Sequence, residues 1–142
     1  MLVRLLYASR AIHGITPDAL ESILAQSRLH NPEIGVTGIL CYSGDIFVQL
    51  LEGGRREVSG LYNTIVRDSR HSNVELLHFE EITERRFANW TMGQVNLARV
   101  NPSTLLKYSE RPGLDPFSMG GKMSMALLEE LIATAAIVGR SG

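Results

Sequence analysis

Two hydrophobic periods alternate along the chain, and their alternation predicts its elements. Leu2 to Tyr7 sets Val3, Leu5 and Tyr7 on one side by the two-residue repeat of a strand. Ala8 to Ile15 reads as loop. Thr16-Pro17-Asp18 then supplies a capping hydroxyl, a first-turn proline and an early acid, and Leu20, Ile23, Leu24 and Ser27 follow at helical spacing. A helix is expected from about Pro17 to Leu29, closed by Asn31-Pro32 because a residue before proline is pushed out of the helical region. Val36 to Tyr42 and Ile46 to Leu51 flank Ser43-Gly44-Asp45 as a hairpin. After Gly53-Gly54, the residues Val58, Leu61, Tyr62, Ile65 and Val66 mark one face of a second helix. Strands over Val74 to Glu81 and near Trp90 to Asn96 follow, the latter carrying Trp90 and Met92 on one face. The order β-α-β-β-α-β-β predicts an α+β, ferredoxin-like sandwich, one sheet with two helices on one face.

Past Val100 the texture changes. Pro102, Pro112, Pro116, Gly113 and Gly120-Gly121 break up the segment, leaving a short helix near Ser103 to Tyr108 and a longer one from about Lys122 to Ile137. Residues 1–100 therefore read as the domain and 101–142 as a helical C-terminal extension. Met123, Leu127, Leu128, Leu131 and Ile132 make the last helix broadly apolar, so it should dock on the sheet or on a second copy in a homodimer.

Composition narrows the function classes. The 142 residues are 44% hydrophobic and 20% charged, which fits a folded globular domain and argues against disorder. A formal net charge of −1 provides no basic field for direct nucleic-acid binding or for an anionic membrane. The amino terminus is too quickly polar for a signal peptide, and no apolar run approaches a membrane span, so the cytoplasm is the expected location. The single Cys41 excludes an intramolecular disulfide and a multi-cysteine metal site within one chain, and its strand setting reads as a buried, inert thiol. His13, His30, His71 and His78 show no i, i+4 ligand pair, so no metal site is expected. No dinucleotide fingerprint or P-loop is present, and Gly53-Gly54-Arg55-Arg56 reads as a turn ahead of a helix rather than a phosphate cradle.

The informative residues are polar ones in apolar settings. Gln49 interrupts Ile46-Phe47-Val48-Gln49-Leu50-Leu51 and shares a face with Phe47 and Leu51. A buried amide needs partners for two donors and an acceptor, or it costs about 1–3 kcal/mol. It is either a satisfied core amide or a group meant for something else. Tyr7 ends the first strand and is either a core tyrosine or a phenol that reaches such an amide. His30-Asn31 sits where the first helix ends, and Asn31 is either a turn residue or an amide for a flat imide edge. Asp68-Ser69-Arg70-His71 gathers charge at the end of the second helix, where the dipole alone favours cations.

Together these segments resemble the BLUF family, blue-light sensors that use FAD. The matching text is Leu5-Leu6-Tyr7-Ala8-Ser9, His30-Asn31, Gly35-Val36-Thr37-Gly38-Ile39-Leu40, Phe47-Val48-Gln49-Leu50-Leu51-Glu52-Gly53, Asp68-Ser69-Arg70-His71 and Phe87-Ala88-Asn89-Trp90-Thr91-Met92-Gly93. The resemblance covers about Met1 to Asn96. It implies FAD between the two helices, with FMN as the alternative flavin. Ile23 and Ile65 would flank the ring, and Phe47 would line the pocket. Asn31 would bond the pyrimidine edge and Arg70 a ring carbonyl, with Asp68, His30 and His71 as further polar contacts. It also implies that Tyr7 gives an electron and then a proton to the photoexcited flavin, leaving a changed hydrogen-bond network around Gln49 and a red-shifted spectrum. Met92 and Trp90 would pass the change to the extension and to a downstream protein partner. The expected function is thus a photoreceptor with no catalytic output domain. A small flavin oxidoreductase, an acylphosphatase-like hydrolase and a ferredoxin-like interaction domain are the alternatives.

Overall fold

The computed structural model describes residues 1–113, 115–134 and 137–139. The elements are β1 (Leu2–Ala11), α1 (Pro17–His30), β2 (Thr37–Ser43), β3 (Ile46–Gly54), α2 (Arg55–Arg67), β4 (His71–Ile82), β5 (Gly93–Asn96), α3 (Pro102–Leu106) and α4 (Pro116–Ala133). The expected α+β, ferredoxin-like order is present. The sheet runs β4-β1-β3-β2-β5, antiparallel except for the parallel β2–β5 pair.

Local chemistry starts and stops the helices as the sequence indicates. Thr16 Oγ1 accepts from the Ala19 amide at 3.1 Å at the head of α1. At its foot, Asn31-Pro32 turns the chain into a short 3₁₀ segment that ends at Gly35, whose φ of 69° is left-handed. Along α2, Val58 is buried and Leu61, Tyr62 and Ile65 are half-buried, while Val66 faces solvent.

The sheet carries two cores. On one face, Val3, Leu5, Tyr7, Leu40, Phe47 and Leu51 meet Leu24 of α1 and Val58 of α2. On the other, Leu6, Ala8, Ile39, Cys41, Val48 and Leu50 meet Leu105 of α3 and Leu127, Leu128 and Leu131 of α4. The last helix therefore packs on its own sheet. Gly121 permits the approach, because a Cβ there would stand 2.1 Å from the Leu77 carbonyl oxygen of β4.

Several element ends differ from the sequence expectation. β1 continues through the presumed loop to Ala11, because the Ala11 amide donates to the Asp45 carbonyl and buried Ser9 meets His71. β3 runs past Leu51 to Gly54, and β4 begins at His71 rather than Val74. The short helix is Pro102–Leu106, capped by the Asn101 side chain. A helical turn from Pro116 precedes the long helix, and Gly120, non-helical at φ 78° and ψ 178°, separates the two, so the long helix itself starts beside Lys122 as expected. It closes at Ala133, Ile137 lies outside it, and residues 135 and 136 of the expected helix lie outside the described residues.

The last strand is the largest correction. The ladder with β2 covers Gly93–Asn96, and Trp90, whose carbonyl accepts from the Gly38 amide at 2.9 Å, and Met92 lie in the segment before it. Released from a strand's alternation, they do not share a face: Trp90 joins the core under α4 beside Phe87, and Met92 joins the core under α1 and α2.

Candidate functional site

A cavity of about 260 Å³ opens between α1 and α2 above the sheet. That is at the small end of ligand pockets, roughly 300–1,000 Å³, and suits one enclosed ring system. Its floor is Tyr7 of β1, Phe47 and Gln49 of β3 and Leu40 of β2. Ile23 and His30 line the α1 wall with Asn31 just beyond it, and Ile65 faces them from α2. Asp68, Arg70 and His71 close the end where α2 passes into β4.

Strand register explains the floor. Tyr7 and Gln49 are direct cross-strand partners of β1 and β3, and Leu40 is opposite Gln49 on β2. Cross-strand pairs have their side chains on one face, so the phenol and the amide must meet. Tyr7 Oη donates to Gln49 Oε1, and Gln49 Nε2 donates to Met92 Sδ at 3.4 Å. Tyr7 and Gln49 are buried, at 1% and 4% exposure, and Met92 is fully so. With one amide N–H given to sulfur, the second is free, among the described residues, for whatever occupies the cavity.

Electrostatics separate the groups by role. Burial lifts the Tyr7 phenol well above its ordinary value, and Tyr62 and Asp68 push the same way, so its proton stays on oxygen across the physiological range. The Arg70 side chain, bonded to Asp68, holds that carboxyl below its usual value. Burial lowers His71 despite the opposing pull of Asp68, which favours a neutral ring. His71 Nδ1 lies 2.9 Å from Ser9 Oγ, and its ring packs 5.4 Å from that of Phe47. Cys41 faces the opposite core, and burial pushes its thiol up to about 12, as an inert side chain requires.

One polar atom has no counterpart in the protein. Asn31 is 3% exposed, and among the described residues its Nδ2 has no hydrogen-bond partner. An orphaned buried amide is costly, and here it borders the cavity, so a ligand carrying an acceptor at that edge would satisfy it.

Of the residues that the resemblance assigns to the site, Trp90 alone is remote from the cavity and its hydrogen-bond chain, being packed on the far side of the sheet. Sequence reasoning missed Gln26, Ser27 and Thr64, which also line the cavity. Gln26 and Ser27 stand three and four residues after Ile23, and Thr64 stands three after Leu61, so a shared helix face holds the only signal. It also missed Glu52, which has no exposed surface and uses both carboxylate oxygens. Arg4 Nη2 lies 2.6 Å from Glu52 Oε2, and the Phe87 amide donates to Oε1 at 2.7 Å and the Arg86 amide to Oε2 at 3.2 Å.

Fold and cavity together define a ferredoxin-like domain with a polar-edged cavity between its two helices. The family model "BLUF: Sensors of blue-light using FAD" matches residues 2–93, and the chain belongs to this family, the flavin-binding photoreceptors of blue light. The chain is 35% identical over 92 residues to photoactivated adenylate cyclase subunit beta of Euglena longa, covering 64% of this chain and 11% of that protein. It is 34% identical over 87 residues to the blue light- and temperature-regulated antirepressor BluF of Escherichia coli, covering 61% of this chain and 22% of that one. The chain thus spans only a small part of these curated relatives. Among solved structures, BlsA in its photo-activated state is similar at a TM-score of 0.82 and 31% identity, over 93% of this chain and 95% of that one. The dark state of BlrB gives 0.74 and 33%, over 94% and 96%.

Proposed function

We propose that this chain is a non-enzymatic light sensor that holds FAD between α1 and α2 and switches through Tyr7 and Gln49. The observation that carries the reading is the buried chain Tyr7–Gln49–Met92, of which Tyr7 and Gln49 line the cavity that Asn31 also borders, its Nδ2 without a partner among the described residues. Ile23 and Ile65 would sandwich the ring, and Phe47 would pack at its side. Asn31 would bond its pyrimidine edge, while Arg70, Asp68, His30 and His71 supply the polar end. When bound, the flavin supplies the visible absorption and an excited state that accepts an electron.

The protein's own groups do the rest. An oxidised phenol is a strong acid, so loss of an electron from Tyr7 turns its hydrogen bond into a route for the proton from Oη to Gln49 Oε1. The amide, holding a donor and an acceptor on one rigid plane, then offers the cavity a different hydrogen bond by rotating or tautomerising. FAD is favoured over FMN by the family description. An enclosure suited to one ring system leaves FMN as a second ligand.

The division into a sensor of residues 1–100 and a helical extension of 101–142 is part of the same proposal. Two contacts support the extension as the output. The Arg86 guanidinium pairs with Glu129 of α4, and Val138 exchanges both backbone bonds with Gln94 of β5. The downstream target is a protein met in the cytoplasm or a second copy of this chain. Direct nucleic-acid or membrane binding is not expected: net charge is −1, and no described helix is long and apolar enough to cross a membrane.

The test is the visible spectrum of the purified chain in the dark, after blue light, and during recovery. A flavin band that moves red and returns supports the reading. A chain that stays colourless after reconstitution with FAD overturns it, and a flavin reduced by NAD(P)H in the dark without a red shift points to an oxidoreductase. Asn31→Ala should weaken flavin retention roughly five- to thirtyfold, the worth of about 1–2 kcal/mol of hydrogen bonding. Equilibrium dialysis against FAD measures it, and unchanged affinity would remove Asn31 from the ring edge.

A further inference from the structure

Met92 Sδ is placed against the Gln49 amide, yet Met92 itself lies outside the strand ladder, since β5 begins at Gly93. Methionine is flexible about three bonds, so its sulfur is well placed only where its backbone is held. Its backbone is tied to β2 on either side, by the Gly38 amide on the Trp90 carbonyl at 2.9 Å and by the ladder at Gly93, while its own carbonyl is held from the pocket helix. Arg28, in the last turn of α1, does not line the cavity, and its Nη2 donates to the Met92 carbonyl oxygen at 3.3 Å. Among the described residues its guanidinium joins no salt bridge. The helix dipole favours a cation in that turn but does not require it to reach this carbonyl.

The same guanidinium is the neighbour of the C-terminal segment. Val138 pairs with Gln94 through bonds of 2.8 and 3.0 Å, and a Cβ on Gly139 would stand 3.0 Å from Arg28 Nη2 and 3.5 Å from the Met92 oxygen. Gly139 also has a φ of +94°, where side chains are disfavoured. Glycine there leaves room for the arginine.

We infer that Arg28 is a positioning residue of the light switch: it clamps the Met92 backbone so that Met92 Sδ stays against the Gln49 amide, with residues 137–139 closing over the clamp. The inference rests on the reading of Gln49 as the switch. Its loss loosens the segment carrying Met92 and removes a restraint on the return of the amide to its dark arrangement.

The experiment uses the full, flavin-loaded chain and follows dark recovery after a blue pulse. Arg28→Ala should retain flavin and the red shift but recover faster by about threefold or more. In a Met92→Ala background the same substitution should change the rate by less than about 1.5-fold, as expected for residues acting through one contact. Gly139→Ala, which crowds the guanidinium, should speed recovery in the same direction and keeps the test open if Arg28→Ala fails to fold. Wild-type recovery in both Arg28→Ala and Gly139→Ala overturns the clamp, as does a full Arg28→Ala effect persisting without Met92. A parent chain showing no red shift at all instead overturns the photoreceptor mechanism.

Discussion

Replacing Tyr7 with phenylalanine yields a protein that binds flavin and gives no stable red shift under blue light. The ring remains, so packing against Tyr62, 5.7 Å away, is kept and the cavity floor keeps its shape. What disappears is the hydroxyl, which is both the proton held by burial and the donor to Gln49 Oε1. Phenylalanine is also much harder to oxidise, so electron and proton supply fail together. The buried Gln49 oxygen loses its donor, a cost of about 1–3 kcal/mol that a thermal melt can register separately from the optical change. A Tyr7→Phe protein that photocycles normally would show that the donor lies elsewhere.

Glu52→Ala should be the most destabilising single change in the sensor, by about 3–5 kcal/mol in urea denaturation. Glu52 has no exposed surface and Arg4 is 4% exposed, so removing the carboxylate leaves a buried guanidinium whose remaining partner among the described residues is the Glu80 carboxylate of β4. It also strands the Arg86 and Phe87 amides, at the start of the segment that carries Trp90 and Met92. A comparison with Glu129→Gln isolates the effect of burial. That variant cuts the half-exposed pair between Arg86 and α4 and should cost at most about 1 kcal/mol. A loss under about 1 kcal/mol for Glu52→Ala would mean that the network is not what anchors the segment.

Much of the fold is legible in the sequence because two periods encode two environments. Alternation in Leu2 to Tyr7 and Ile46 to Leu51 reports one sheet face against another, and the spacing of Leu20, Ile23 and Leu24 reports a helix packed on one side. Element ends are less legible. Nothing local tells Ser9 and Ala11 that they continue a strand, because their partners are His71 and Asp45. The spacing of Trp90 and Met92 misleads for the same reason. Two residues apart means a shared face only inside a strand, and the ladder with β2 starts at Gly93.

The chain by itself determines the order of elements, the apolar walls of a cleft between two helices, and the chemical types available there: a phenol, a side-chain amide and a second amide at a helix end. These follow from local preference and periodicity, which need no knowledge of distant residues. Only the tertiary structure decides which groups meet. Register sets Tyr7 opposite Gln49, the break before β5 sends Met92 to the cavity side and Trp90 to the far core, and α4 covers the sheet face that the two pocket helices leave bare. Each outcome depends on contacts between segments tens of residues apart, and long-range pairing is settled by the burial of the whole sheet rather than by any stretch of sequence within it.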